Sequence, residues 1–170
     1  MLMASNVPIH IDTISQERWK TAMMDWLDDF RFTHAITLVW NRSVGLDRAR
    51  TDLRNLMNRV DRRLIGSTFH KVPSQYRTTA LFCFEGQRHN HVHVHSLWKA
   101  PPGKWFALGK MFPRQRGGVW NDVVGSGSYD VEACSWHGGN AEITGYALKQ
   151  QHRFSDPGLM VWADEFHPSR

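Results

Sequence analysis

Apolar residues recur at three- and four-residue intervals through Trp19, Ala22, Met23, Trp26, Leu27 and Phe30, the period of an amphipathic helix. Thr13 and Gln16 have the spacing of a capping box, so this first helix is expected over about 13–30. The period then changes. THAITLVWN, residues 33–41, is β-branched and aromatic and too short for a typical helix, which predicts a central strand. In LDRARTDLRNLMNRVDRRLI, Leu46, Ala49, Leu53, Leu56, Met57, Val60 and Leu64 share one helical face, and Gly66 suits the end of that helix.

YRTTALFCFEG and NHVHVHSLWKAPPG read as two strands joined by GQRHN, a hairpin-length connection. Pro101, Pro102 and Gly103 stop the second of them. KWFALGKMF predicts a short helix, PRQRGG a basic glycine-rich loop and GSYDVEACSW a fourth strand. Asn140 then caps a last helix over AEITGYALKQQHRF, and the tail beyond Asp156 reads as irregular. This order predicts an α+β fold with a central antiparallel sheet flanked by helices. At 170 residues the chain suits one domain, with an N-terminal helix at about 13–30 and a core over about 33–155.

Charge and cysteine content narrow the partners. The formal charge is +5 with a pI near 9.6, which raises the expectation of a nucleic-acid partner without establishing one. The outer face of the second helix carries Arg48, Arg50, Arg54, Arg59, Arg62 and Arg63. Asp47, Asp52 and Asp61 interleave with them, so an exposed face with local ion pairs is preferred there to phosphate binding. Cys83 and Cys134 are the two cysteines, too few for a disulfide framework or a cysteine zinc site. The start of the chain lacks a signal-peptide pattern and no segment is apolar enough to span a membrane. A cytoplasmic protein without a membrane partner is expected.

HNHVHVHSLW carries the most specific chemistry. On a strand, His91, His93 and His95 project to one side roughly 7 Å apart. Two neighbouring imidazoles can share a divalent metal, and Glu85, across the turn on the preceding strand, is the candidate third ligand. A solvated polar strand face is the competing reading. Downstream, Tyr146 and Lys149 in GYALKQ stand three residues apart on one face of the last helix.

Taken together, FTHAITLVWN, HVHVHSLWKAP and YALK, in that order over roughly residues 33–152, resemble the HUH endonuclease superfamily. Within it the match is to the single-tyrosine branch of rolling-circle replication initiators and related transposases. The resemblance implies a ferredoxin-like or RRM-like palm and a metal pair on two of the three histidines. His93 and His95 are preferred for that pair, His91 with His93 satisfies the same rule, and Glu85 or His91 would be the third ligand. It implies Mn²⁺ or Mg²⁺, no organic cofactor, and Tyr146 as the nucleophile that nicks single-stranded or hairpin DNA through a 5′-phosphotyrosine. Lys149 would lower the phenol's pKa or contact phosphate.

Lys104, Lys110, Arg114 and Arg116 are candidates for following the DNA backbone, and Trp98, with Trp105, Trp120 and Trp136, for stacking on bases, although most of the tryptophans are expected in the core. The chain has no Walker motif, so a host helicase or polymerase would complete replication. Three alternatives stand beside the initiator: a transposase of the same superfamily, a DNA-binding module without catalysis, and a zinc-dependent hydrolase.

Overall fold

The protein is described by a computed structural model that covers residues 13–86, 91–114, 117–134 and 159–166. The elements are α1 (Thr13–Asp28), β1 (His34–Val39), α2 (Leu46–Leu64), β2 (Thr79–Glu85), β3 (His93–Lys99), α3 (Trp105–Lys110), α4 (Val119–Val124), β4 (Ser128–Ala133) and β5 (Met160–Trp162). The strands form one five-stranded antiparallel sheet in the order β4-β1-β3-β2-β5. Its first four strands, with α2 after β1 and α3 and α4 before β4, are the β-α-β-β-α-β arrangement of ferredoxin-like folds. The expected α+β architecture is observed.

Strand parity divides the sheet into two faces. Residues paired directly across an antiparallel ladder point to the same side. Ile36, Leu38, Phe82, Phe84, Val94 and Trp98 therefore face one way, and they pack with the apolar stripe of α2, Leu108 of α3, and Val119 and Trp120 of α4. Ala35, Leu81 and Leu97 face the other way, where Leu27 of α1 and Trp162 of β5 cover them. Further along this second face, towards the β2–β3 connection, the row changes from apolar residues to Thr37, Cys83, Glu85, His93 and His95.

Four boundaries differ from expectation. α1 ends at Asp28, because Phe30 and Arg31 hydrogen-bond back three residues, to Leu27 and Asp28, and Arg31 adopts a positive φ of 49° that turns the chain into β1. Residues 119–124, between the expected loop and the expected fourth strand, form α4: Trp120 stacks edge-on against Trp40 with centroids 4.9 Å apart and donates to the Val39 carbonyl at 3.1 Å. The tail contributes β5, pairing Met160, Val161 and Trp162 with Cys83, Phe82 and Leu81, followed by a 3₁₀ turn at Ala163–Phe166. β3 begins at His93, leaving His91 in the connection. No described helix is long and apolar enough to cross a membrane.

Candidate metal centre

The β2–β3 ladder places Glu85 directly opposite His93 and Cys83 opposite His95, while β1 on the other flank places Thr37 opposite His95. Glu85 Oε2 lies 3.2 Å from His93 Nε2 and 3.4 Å from His95 Nε2. The two imidazole rings stand at 89° with centroids 5.3 Å apart, and one donor atom from each of the three residues lies within 4.8 Å of the others. A cation held about 2.0–2.2 Å from each donor separates them by roughly 3.0–3.4 Å, which the two Glu85–histidine distances already match.

Hydrogen bonds on the far side of each ring direct the donor atoms. His93 Nδ1 lies 3.3 Å from the His91 carbonyl, an oxygen that only accepts, so Nδ1 carries the proton and Nε2 of the neutral ring keeps its lone pair. His95 Nδ1 is 3.0 Å from Thr37 Oγ1, which can accept the Nδ1 proton and leave Nε2 free in the same way. This outer support orients a histidine toward a metal. Gly86 makes the first contact possible: its φ is +78°, and a side chain there would collide with the His91 carbonyl.

The electrostatics fit a cation. Burial alone would raise the Glu85 carboxyl. Hydrogen bonds from His93 and His95, with the charge on those rings, outweigh burial and hold it down at about 2. The Glu85 bond raises His93 above its usual value, against burial, with help from the His91 carbonyl. Glu85 Oε1 is buried and has no hydrogen-bond partner among the described residues. A buried, ionised carboxylate with one unsatisfied oxygen beside two imidazoles is a donor set that a divalent cation completes. Cys83, although adjacent, is pushed up to about 12, by burial first and then by the Glu85 charge. Without metal it remains a thiol, and it is not among the converging donors.

The structure thus brings Glu85, His93 and His95 together and corrects two expectations. His91 is exposed, outside the strand and not among the converging donors; its carbonyl, not its ring, serves the site. Trp98 is fully buried among Phe82 and Phe112, with its Nε1 donating to Ser96 Oγ at 2.7 Å. It belongs to the core and cannot stack on a base.

Lys104 and Lys110 are exposed at the two ends of α3, on the α2 side of the sheet, and Lys110 Nζ rests 4.4 Å above the exposed Phe106 ring. Arg114 is exposed beyond α3. Arg116, Trp136, Tyr146 and Lys149 lie outside the described residues. Thr37 escaped the sequence reading, although its place between Ala35 and Val39 puts it on the same face as His95. The chain matches no protein-family model, no curated protein and no solved structure.

Proposed function

We propose that the protein is a metal-dependent endonuclease and strand transferase acting on single-stranded or hairpin DNA, with Tyr146 as its nucleophile, and that it initiates rolling-circle replication in the cytoplasm. One observation carries the reading: Glu85, His93 and His95 converge on a shared point, with both histidine Nδ1 atoms occupied elsewhere. The resemblance of HVHVHSLWKAP followed by YALK to the HUH endonucleases supplies the rest.

Glu85, His93 and His95 would hold a divalent cation, which when bound supplies Lewis-acid polarisation of a phosphate oxygen. Two imidazoles and one carboxylate suit Mn²⁺ better than Mg²⁺, whose ligands are predominantly oxygens. Thr37 and the His91 carbonyl engage Nδ1 of each ring and leave Nε2 to face the cation, which takes the place of the proton that Glu85 favours on His93.

Tyr146 Oη forms the new bond to phosphorus, the phosphorus–O3′ bond breaks, and the leaving 3′-oxygen takes up a proton as the phenol loses one. The bond energy is kept in the phosphotyrosine, so a 3′-hydroxyl can reverse the step without ATP. Lys149, three residues from Tyr146, favours the phenolate by its charge.

Incubation with a pool of labelled single-stranded DNA and Mn²⁺, followed by denaturing electrophoresis of wild type and Tyr146→Phe, tests the proposal. A covalent adduct that requires Mn²⁺ and is absent from the variant is the expected result. Cleavage that persists in Tyr146→Phe would mark a metal hydrolase instead, and binding without an adduct would mark a module that recognises DNA without cutting it.

A further inference from the structure

The alternation of arginine and aspartate along α2 predicts a surface of internal ion pairs; the structure keeps the Arg48–Asp52 pair and turns Asp52 and Asp61 inward. Asp52 and Asp61 are 1% and 3% exposed. Asp52 accepts from Trp40 Nε1 at 2.9 Å and pairs with Arg48 at 3.0 Å. Asp61 accepts from the Thr78 backbone N–H at 3.0 Å. Both aspartates support the fold beneath the helix and leave its outer surface with Asp47 as the exposed acid of α2. Arg54, Arg59 and Arg62 are exposed and pair with no carboxylate among the described residues.

Arg63 reaches Asp122 of α4 at 2.7 Å and fixes that helix beside α2. Between the two helices lies an open groove of about 580 Å³ lined by Asn55, Asn58, Arg59, Arg62, Arg63 and Val123. α2 packs on the sheet face opposite Glu85, His93 and His95.

We propose that this groove and the arginines beside it bind the phosphate backbone of duplex DNA, on the far side of the sheet from the metal centre. The choice of DNA rests on the nuclease reading; the choice of a duplex rests on the groove itself. Guanidinium groups match phosphate oxygens with paired N–H donors, and the Asn55 and Asn58 amides add neutral donors that do not repel a polyanion. A single-strand site needs aromatic platforms for its bases, and the lining of this groove contains none. The 19 residues of α2 span about 28 Å, the length of roughly eight base pairs at about 3.4 Å each. The two faces then divide the substrate, the metal side taking the unpaired strand and the α2 side holding the paired arm of a hairpin.

Fluorescence anisotropy with a short labelled DNA duplex, in EDTA and across a range of salt concentrations, tests this. Arg59→Gln combined with Arg62→Gln is expected to weaken binding roughly tenfold at 0.1 M salt and to reduce the slope of log K against log salt by roughly 1.8, as for two lost phosphate contacts. Asn58→Asp, which alters no apolar residue, weakens binding in the same direction. The double Arg→Lys variant keeps the slope, and Lys99→Gln, exposed on the opposite face of the sheet, leaves it unchanged.

Unaltered affinity and slope in the double glutamine variant, with the fold intact by circular dichroism, would overturn the assignment. An equal loss in Lys99→Gln would overturn it too, by reducing the effect to net charge, and tighter binding of an RNA duplex through the same arginines would replace DNA with RNA. Because the assay excludes metal and cleavage, failure of the nuclease reading appears as a missing adduct with Mn²⁺, and failure of this one as an unchanged duplex isotherm.

Discussion

The same three strands present two different surfaces. Ile36, Leu38, Phe82, Phe84, Val94 and Trp98 look onto α2, α3 and α4 in a dry, close-packed layer, while Thr37, Glu85, His93 and His95, interleaved with them along the chain, look the other way. The difference shows how a strand can separate two tasks at single-residue resolution. His93 and His95 are each flanked by buried neighbours, so their ring positions are held by core packing, and their protons by Thr37 and the His91 carbonyl. A site built on interior strands with packed support is held more tightly than one built on loops.

Separable tasks imply separable losses. The largest effect is expected at the ligand whose oxygen both rings share. Glu85→Gln removes the charge with little change in shape, and calorimetric titration should find Mn²⁺ affinity reduced more than about 100-fold, beyond the roughly 10–100-fold typical of an outer-shell partner. Retention of Mn²⁺ binding by Glu85→Gln would mean that the cluster is a structural ion pair.

Leu53→Ala, on the buried stripe of α2, is the converse. Urea unfolding should show a loss of about 2–5 kcal/mol from the cavity, with Mn²⁺ affinity of the folded protein unaltered. A parallel fall in affinity would break the distinction between the faces, since it would mean that the core sets ligand geometry continuously instead of simply supporting it.

Thr37→Val sharpens the comparison, because it keeps shape and removes the acceptor beside His95 Nδ1. Mn²⁺ affinity should fall by about 10–100-fold while the unfolding midpoint without metal moves little.

What could be read from the chain follows the range of the physics. The side-chain period of a strand is local, so HVHVHSLW already placed His93 and His95 on one face. The same parity sets Val94, Ser96 and Trp98 on the other, and applying it to Trp98 would have removed that residue from the DNA-contacting candidates. The α2 stripe was legible for the same reason. α4 and β5, six and three residues long, form through contacts distant in sequence: Trp120 against Trp40, and Met160–Trp162 along the β2 edge. His91 left the strand because Gly86 closes the connection onto its carbonyl. The inward turn of Asp52 and Asp61 depended on Trp40 and Thr78, 12 and 17 residues away, and nothing in the local pattern of α2 marks it.

The smallest expected effect is a change of sign with pH. In the metal-free protein, the Glu85 carboxyl is depressed from 4.5 to about 2, so its contribution to stability is present above 4.5 and is lost as pH falls toward about 2. His93 is raised above 6.5, so its contribution is full below 6.5 and is lost as pH rises through the folded value. The two describe one interaction, complete between about 4.5 and 6.5. Metal-free wild type should therefore gain stability over Glu85→Gln at pH 5.5 relative to pH 8, by roughly 2–4 °C in Tm if the pair contributes about 1 kcal/mol.

Saturating Mn²⁺ should reverse the trend. A bound cation requires neutral His93, protons compete with it as pH falls, and the stabilisation of wild type by metal should be larger at pH 8 than at pH 5.5. Thermal unfolding of both proteins at the two pH values, with and without Mn²⁺, reads all four terms. If the wild-type advantage changes with pH in the same direction with and without metal, the cation is binding somewhere other than between Glu85 and the two imidazoles, and the polar face of the sheet becomes an ion-pair network built for stability like the apolar face behind it.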